Sequence, residues 1–348
     1  MGSFRRECLS VVVAAGLSVT ALLAGADGPS KAEDAQSPKV KVGERLERKG
    51  DEIVVCGQLF HTTAPVVLWT DPGGYDAYRV ERRFAPMDQS SWAATKDATK
   101  LTMPNRYSMR RKGLNPEQVE KVRGGGWELE ALRSVVDQFV IHFDARGTSR
   151  GCFEVLHDRR GLSVHFMLDL DGTIYQTLDL KERAWHATIA NDRSIGVEIA
   201  NIGAYPVDRA ETLEQWYARD VDGHTRITIP GGLERSGERD ASKPLRPSRD
   251  EPIVGTVQGQ KLRQYDLTAQ QYDSLVKLTA TLCTLFPNIA CDYPHDASGK
   301  PVPHKLPDDE LKRYQGILGH YHVQTNKVDP GPAFRWDDLI DGARRLMK

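Results

Sequence analysis

The chain has no excess of charge of either sign. Its 47 Lys and Arg are matched by 48 Asp and Glu, for a formal net charge of −1 over 348 residues. Nucleic-acid-binding domains usually carry a clear basic excess, so no nucleic-acid partner is expected, although a local basic groove stays open. The chain also lacks a His-Glu-x-x-His helix, the usual mark of a zinc peptidase, and it shows no internal repeat. What remains is an ordinary globular composition, 39% hydrophobic, long enough for one large domain or a core with additions.

The N-terminus reads as a targeting segment. Arg5 and Arg6 precede a largely apolar stretch from Leu9 to Leu23, and Ala24-Gly25-Ala26 offers a small-residue cleavage site. This pattern predicts a signal peptide over 1–26 and export to the periplasm or the exterior. Ser10, Gly16, Ser18 and Thr20 interrupt the run and no stop-transfer flank follows, so no stable membrane insertion is expected after cleavage. Residues 27–50 form a flexible leader rich in Ala, Ser, Lys and Asp.

Cleavage removes Cys8 and leaves Cys56, Cys152, Cys283 and Cys291. Four cysteines in an exported chain allow three disulfide pairings. Cys283 and Cys291 lie close in sequence across the end of an expected helix, which favours that pair and leaves Cys56–Cys152 by elimination. Four buried thiols are the alternative.

Residues 51–129 form an N-terminal extension, β-rich at its start, with no assigned role. Ile53-Val54-Val55-Cys56 and Val66-Val67-Leu68-Trp69 read as strands, and Asn115-Pro116-Glu117 as the opening of a helix. From 130 the pattern sharpens. Strands are expected at Gln138–Phe143, Val164–Leu170, Thr173–Gln176 and Ser194–Ala200, with a hairpin turn at Asp171-Gly172. Thr268-Ala269-Gln270-Gln271 has the form of a capping box. Tyr272, Leu275, Val276, Thr279, Leu282, Cys283 and Phe286 follow at helical spacing. The mixture predicts an α/β domain over 130–345, a mixed central sheet flanked by helices. A long polar stretch at about 206–263, with a short strand at Ile227-Thr228-Ile229, reads as a surface insertion; it either folds over the site or is a mobile decoration.

Ten histidines are too many to be functional one by one. His142 stands near the end of a hydrophobic strand, and the segment from Leu318 to Phe334 carries His320, His322, Lys327 and Asp329 within about ten positions, a spacing that lets one loop supply several ligands. A hydrolytic zinc site needs three protein ligands and one open position. Two neutral imidazoles and one carboxylate leave the ion with net positive charge.

These pieces resemble the type 2 N-acetylmuramoyl-L-alanine amidases, the family that also includes phage lysozymes and the peptidoglycan recognition proteins, and most closely its AmpD and AmiD branch. The resemblance rests on Val140-Ile141-His142, Ser163-Val164-His165-Phe166, Asp171 to Gln176, Arg183-Ala184-Trp185-His186-Ala187, Ser194 to Glu198, and Gly319-His320 through Lys327-Val328-Asp329-Pro330-Gly331-Pro332. It spans roughly 130–204 and 264–340. It implies one zinc ion held by His142, His320 and Asp329, with Glu198 as the catalytic carboxylate and Lys327 steadying the transition state. It also implies a peptidoglycan or muropeptide substrate, cut between the muramoyl lactyl group and L-alanine, with Trp185 and His186 as substrate contacts. His322 is an extra ligand candidate in a loop about one residue shorter than in AmpD. His165 reads as structural, with a role behind the ligands left open; His61, His157, His224, His295 and His304 read as structural. The competing expectation is a recognition module that keeps the groove and has lost the metal.

Overall fold

Strands whose residues are apolar on both faces form sheets covered on both sides, and the central sheet here is built from such runs. In the computed structural model its strands are β1 (Val66–Leu68), β2 (Gln138–Phe143), β3 (Phe166–Leu168), β4 (Ile174–Gln176), β5 (Ser194–Ile199) and β6 (Gly316–Gly319), in the spatial order β6-β2-β5-β3-β4-β1. All neighbours are parallel except β3 and β4, which form the hairpin expected at Asp171-Gly172. Phe139, Val140, Ile141, Ile195, Val197, Ile317 and Leu318 are fully buried.

The structure describes residues 41–231 and 244–348, apart from 100, 102, 105 and 210. The expected signal peptide and most of the leader lie outside the described residues. The chain divides after Glu47, and the unit Arg48–Lys348 carries every strand and helix among the described residues.

Helices flank the sheet. α1 (Leu129–Val135) leads into β2. α2 (Ser149–Phe153) starts on the Thr148 cap and continues as a π-helical turn over Glu154–Arg159. α3 (Ala269–Leu285) opens on the expected capping box, with Thr268 and Gln271 each accepting the other's backbone N–H. Its inward stripe of Leu275, Leu278 and Leu282 is fully buried. α4 (His320–Val323) is one turn after β6, and α5 (Trp336–Leu346) packs on α3. A Cβ on Gly342 of α5 would come within 2.9 Å of Val276, so the close crossing of α3 and α5 depends on that glycine.

The N-terminal region is woven into this body. β1 supplies the sheet's edge strand beside β4, and Tyr107–Met109 pairs with Glu182–Ala184. The buried Arg110 guanidinium donates to the carbonyls of Leu180, Asn191, Asp192 and Ser194, tying the region to the start of β5. The helix expected at Asn115 forms over Pro116–Val122 with its own capping box.

The described part of the insertion is also tied in. Ile253–Val257 and Gln260–Gln264 form a hairpin that pairs with Tyr205–Pro206, and Gln258 donates to the carbonyls of Tyr321 and Gln324. The short strand falls at Thr225–Ile227, two residues before the expected one.

The expected disulfides are not made: all four cysteines are free thiols. Cys56 packs against one apolar cluster and Cys152 belongs to another, so pairing by elimination fails. Cys283 and Cys291 lie beside one another as thiols, which is as far as their closeness in sequence goes. No helix among the described residues is long and apolar enough to cross a membrane.

Candidate metal centre

Sheet register assembles the site. In the parallel pairing of β2 with β5, His142 stands opposite Glu198. In the pairing of β6 with β2, Gly319 stands opposite Ile141, so His320, one residue further on, arrives beside His142. These are the carboxyl ends of parallel strands, where α/β sheets place their ligands.

Asp329 is carried to the same point by a braced loop. Its carbonyl accepts from Tyr321 N–H, and its peptide bond to Pro330 is cis. Gln264 donates from Nε2 to the Pro330 carbonyl and accepts the Ala333 N–H at Oε1.

Three atoms converge. His142 Nδ1 lies 2.9 Å from His320 Nδ1 and 3.1 Å from Asp329 Oδ2, and His320 Nδ1 lies 2.9 Å from that oxygen. All three side chains are buried. The far ring nitrogens decide what these contacts mean. His320 Nε2 is 2.7 Å from the amide oxygen of Gln324, a pure acceptor, so Nε2 carries the proton. His142 Nε2 is 2.9 Å from His186 Nδ1, and His186 Nε2 is 3.2 Å from Ser194 Oγ, a chain along which each ring N–H can donate outward. Neither Nδ1 then has a proton to share. Three lone pairs face one another, an arrangement that repels unless a cation lies among them. The donor set, two imidazoles and a carboxylate with room for a fourth partner, fits a hydrolytic zinc ion.

Charge agrees with this reading. Burial, with His320 alongside, pushes the His142 imidazole down to about 4, so it is neutral and able to ligate. Glu198 is different. Burial, then the nearby Asp329 and Asp144 carboxylates, push it well above its ordinary value, and its Oε2 has no hydrogen-bond partner among the described residues.

A cavity of about 600 Å³ opens onto this cluster. Glu198, Lys327, Trp185, His186, Arg146 and Arg160 are among the residues that line it. The indole Nε1 of Trp185 has no partner among the described residues.

His322 is not a ligand. Its Nδ1 accepts the Gly319 N–H and its Nε2 faces the Val302 carbonyl, so both nitrogens are used, and burial lowers it to about 3. His165 is fixed in the same way by Gly196 N–H and the Glu182 carbonyl. His186 has a duty that the sequence did not reveal, as the partner of His142. Gly196 makes room for it, because a Cβ there would sit 2.5 Å from the His186 ring. Gln324 was missed entirely; its place four residues after His320 is the only signal that could have raised it.

The family model described as N-acetylmuramoyl-L-alanine amidase matches residues 132–332. Among solved structures, a selenomethionine derivative of AmpD is 17% identical, covering 70% of this chain and 90% of its own, with a TM-score of 0.31. AmiD from E. coli, in complex with anhydro-N-acetylmuramic acid-L-Ala-D-gamma-Glu-L-Lys, is 16% identical over 60% of this chain and 57% of its own, with a TM-score of 0.33. Staphylococcus aureus AmiA, in complex with its ligand, is 12% identical over 69% and 96%, with a TM-score of 0.31. No curated protein matches the chain. At these identities and scores, membership rests on the family match alone.

Proposed function

Since the chain belongs to the N-acetylmuramoyl-L-alanine amidase family and is an enzyme of that kind, we propose that it is a zinc-dependent hydrolase of the amide between the muramoyl lactyl group and L-alanine, acting on peptidoglycan or muropeptides. The observation that carries the metal is the triangle of unprotonated donors from His142, His320 and Asp329.

Bound there, a zinc ion supplies Lewis acidity toward the scissile carbonyl and toward a water molecule. The chain's own residues do the rest. Glu198, whose Oε2 has no partner among the described residues and whose pKa is raised, takes the proton from the attacking water and returns it to the leaving L-alanine nitrogen. Lys327, on the same cavity wall, offsets the negative charge that grows on the carbonyl oxygen. His186 and Gln324 hold the two ligand imidazoles in the tautomer the site requires. Trp185 and His186 on the cavity wall contact the substrate, and Arg146 and Arg160 suit its stem-peptide carboxylates.

Export is part of the proposal. Arg5-Arg6, the apolar stretch to Leu23 and Ala24-Gly25-Ala26 support a signal peptide and a periplasmic or extracellular enzyme. The N-terminal mass of the protein recovered from its native host tests this, and an uncleaved Met1 would overturn it.

The test of the chemistry is hydrolysis of purified muropeptides with and without a chelator, read by mass spectrometry. Free stem peptide should appear, stop on chelation and return with added zinc. Release that a chelator leaves untouched would sink the zinc mechanism.

A further inference from the structure

The segment that carries two of the metal donors is gripped by the insertion. Ile253–Val257 and Gln260–Gln264 form a hairpin closed by Gln258 and Gly259. Both turn residues have positive φ, 51° at Gln258 and 72° at Gly259. A two-residue hairpin turn of this kind favours Asn, Asp or Gly, which tolerate left-handed backbone. Gln258 has no such advantage, so the turn bears a strain that a glycine there would not. Local strain persists where the surrounding structure compensates for it, and it clusters at functional sites.

Here the side chain compensates. Gln258 Nε2 donates to the carbonyls of Tyr321, at 2.9 Å, and Gln324, at 2.8 Å, and its Oε1 accepts the Lys305 N–H at 3.3 Å. Its own N–H donates to the Pro303 carbonyl. Tyr321 and Gln324 touch the site with their other groups. Tyr321 N–H donates to the Asp329 carbonyl at 3.1 Å. Gln324 Oε1 accepts from His320 Nε2, and the Gln324 carbonyl also accepts the Lys327 N–H at 3.3 Å. His320, Lys327 and Asp329 are therefore each one hydrogen bond away from a residue that Gln258 holds. The other end of the hairpin holds the same segment: Gln264 bonds the Pro330 carbonyl and the Ala333 N–H, and a Cβ on Gly255 would lie 2.7 Å from Pro332.

We propose that Gln258 is a positioning residue for the metal centre. It fixes the α4 turn so that His320 and Asp329 already converge on His142 when an ion arrives. A preorganised donor set binds without first ordering a loop. The effect on zinc rests on the reading above; the ordering of the loop does not.

Variants of the full chain test this. Gln258→Met keeps the length and removes the donors. Gln258→Lys supplies an ammonium that donates to the same carbonyls. Gln258→Gly removes the side chain and the backbone strain together. Competition with a chromophoric chelator measures zinc affinity, cobalt(II) d–d absorption reports the coordination geometry, and hydrogen exchange of the metal-free protein follows the Tyr321 and Lys327 amides. Gln258→Met and Gln258→Gly should bind zinc about tenfold more weakly, the lower end of the range for groups behind a ligand, with an altered cobalt spectrum and faster exchange at those amides. Gln258→Lys should stay close to wild type in all these measurements. A residue that served the fold alone would lower the melting temperature and leave zinc affinity and the cobalt spectrum of the folded protein unchanged. That result would overturn the proposal, as would a Gln258→Lys variant as weak as Gln258→Met. If Gln258→Gly does not fold, the Met and Lys variants, both with a side chain on the same strained backbone, carry the comparison. Absence of zinc binding by the wild-type chain would instead sink the zinc reading, and the exchange comparison would then decide the positioning role by itself.

Discussion

At one end of the sheet, the parallel strands β6, β2 and β5 bring two imidazoles and two carboxylates together; at the other, β4 and β1 border a cavity of aromatic rings and guanidinium groups. The catalytic end is made of residues inside the family match, the other end mostly of residues before it. The catalytic end collects carboxylates and lone-pair-bearing imidazoles, the donor set a cation would reconcile. The far end is covered by a region whose ties to the body are numerous, including the Arg110 fan and the N–H donation from Arg83 and Phe84 to the Asp158 carboxylate. An added strand can therefore give a sheet a second cleft without touching the first.

The comparison can be broken at its catalytic end first. Glu198→Gln should lower kcat on muropeptides by roughly 10²–10⁴-fold, the usual worth of a general acid–base, with zinc content by atomic absorption unchanged. A variant that turns over normally would remove Glu198 from its role. Lys327→Met should cost about 10²–10³ in kcat with little change in KM, as expected for a group that meets charge present only in the transition state. A rise in KM alone would recast it as a substrate anchor.

The bracing residues come next. His186→Ala should weaken zinc binding by roughly 10–100-fold, the usual range for a group that orients a ligand, and Gln324→Ala should act in the same direction. Competition with a chromophoric chelator measures both; unchanged affinity in both variants would mean that the imidazoles hold their tautomers unaided.

The smallest effect is expected near the N-terminal edge. Burial alone would raise Glu52, but N–H donation from Lys49 and Gly50 together with Arg48 holds it at about 2, against an ordinary 4.5. A carboxyl depressed by folding stabilises the fold above its unfolded value and loses that contribution as pH falls through its folded one. Acid melting should therefore steepen between about 4.5 and 2, and Glu52→Gln should flatten that stretch while leaving zinc binding at neutral pH as it was.

Much of this was legible in the sequence because the signals are local. The capping box at Thr268, the hairpin turn at Asp171-Gly172 and the apolar run of β2 each depend on neighbours a few residues away. That His142, His320 and Asp329 meet, with Glu198 and Lys327 on the same cavity wall, was legible through motif order. His322 stayed open as a ligand because two histidines two residues apart look alike until the partners of each nitrogen are known. The disulfide expectation failed for a related reason: closeness in sequence fixes nothing about Cys56 and Cys152, which fold into different clusters. Thr225–Ile227 came two residues early because a short polar stretch leaves its register to its partner strand, Tyr217–Arg219.

The sequence by itself determined the kind of fold, the elements that carry the site and the residue types that meet there, since periodicity, capping and turn chemistry are written within short windows. Only the tertiary structure decided that β1 closes the sheet beside β4, that His186 and Gln324 meet the imidazoles of His142 and His320, and that arginines and aromatic rings from distant segments share one cavity. Those are contacts between residues far apart along the chain. Their geometry is set by packing the whole body at once, which no local window contains.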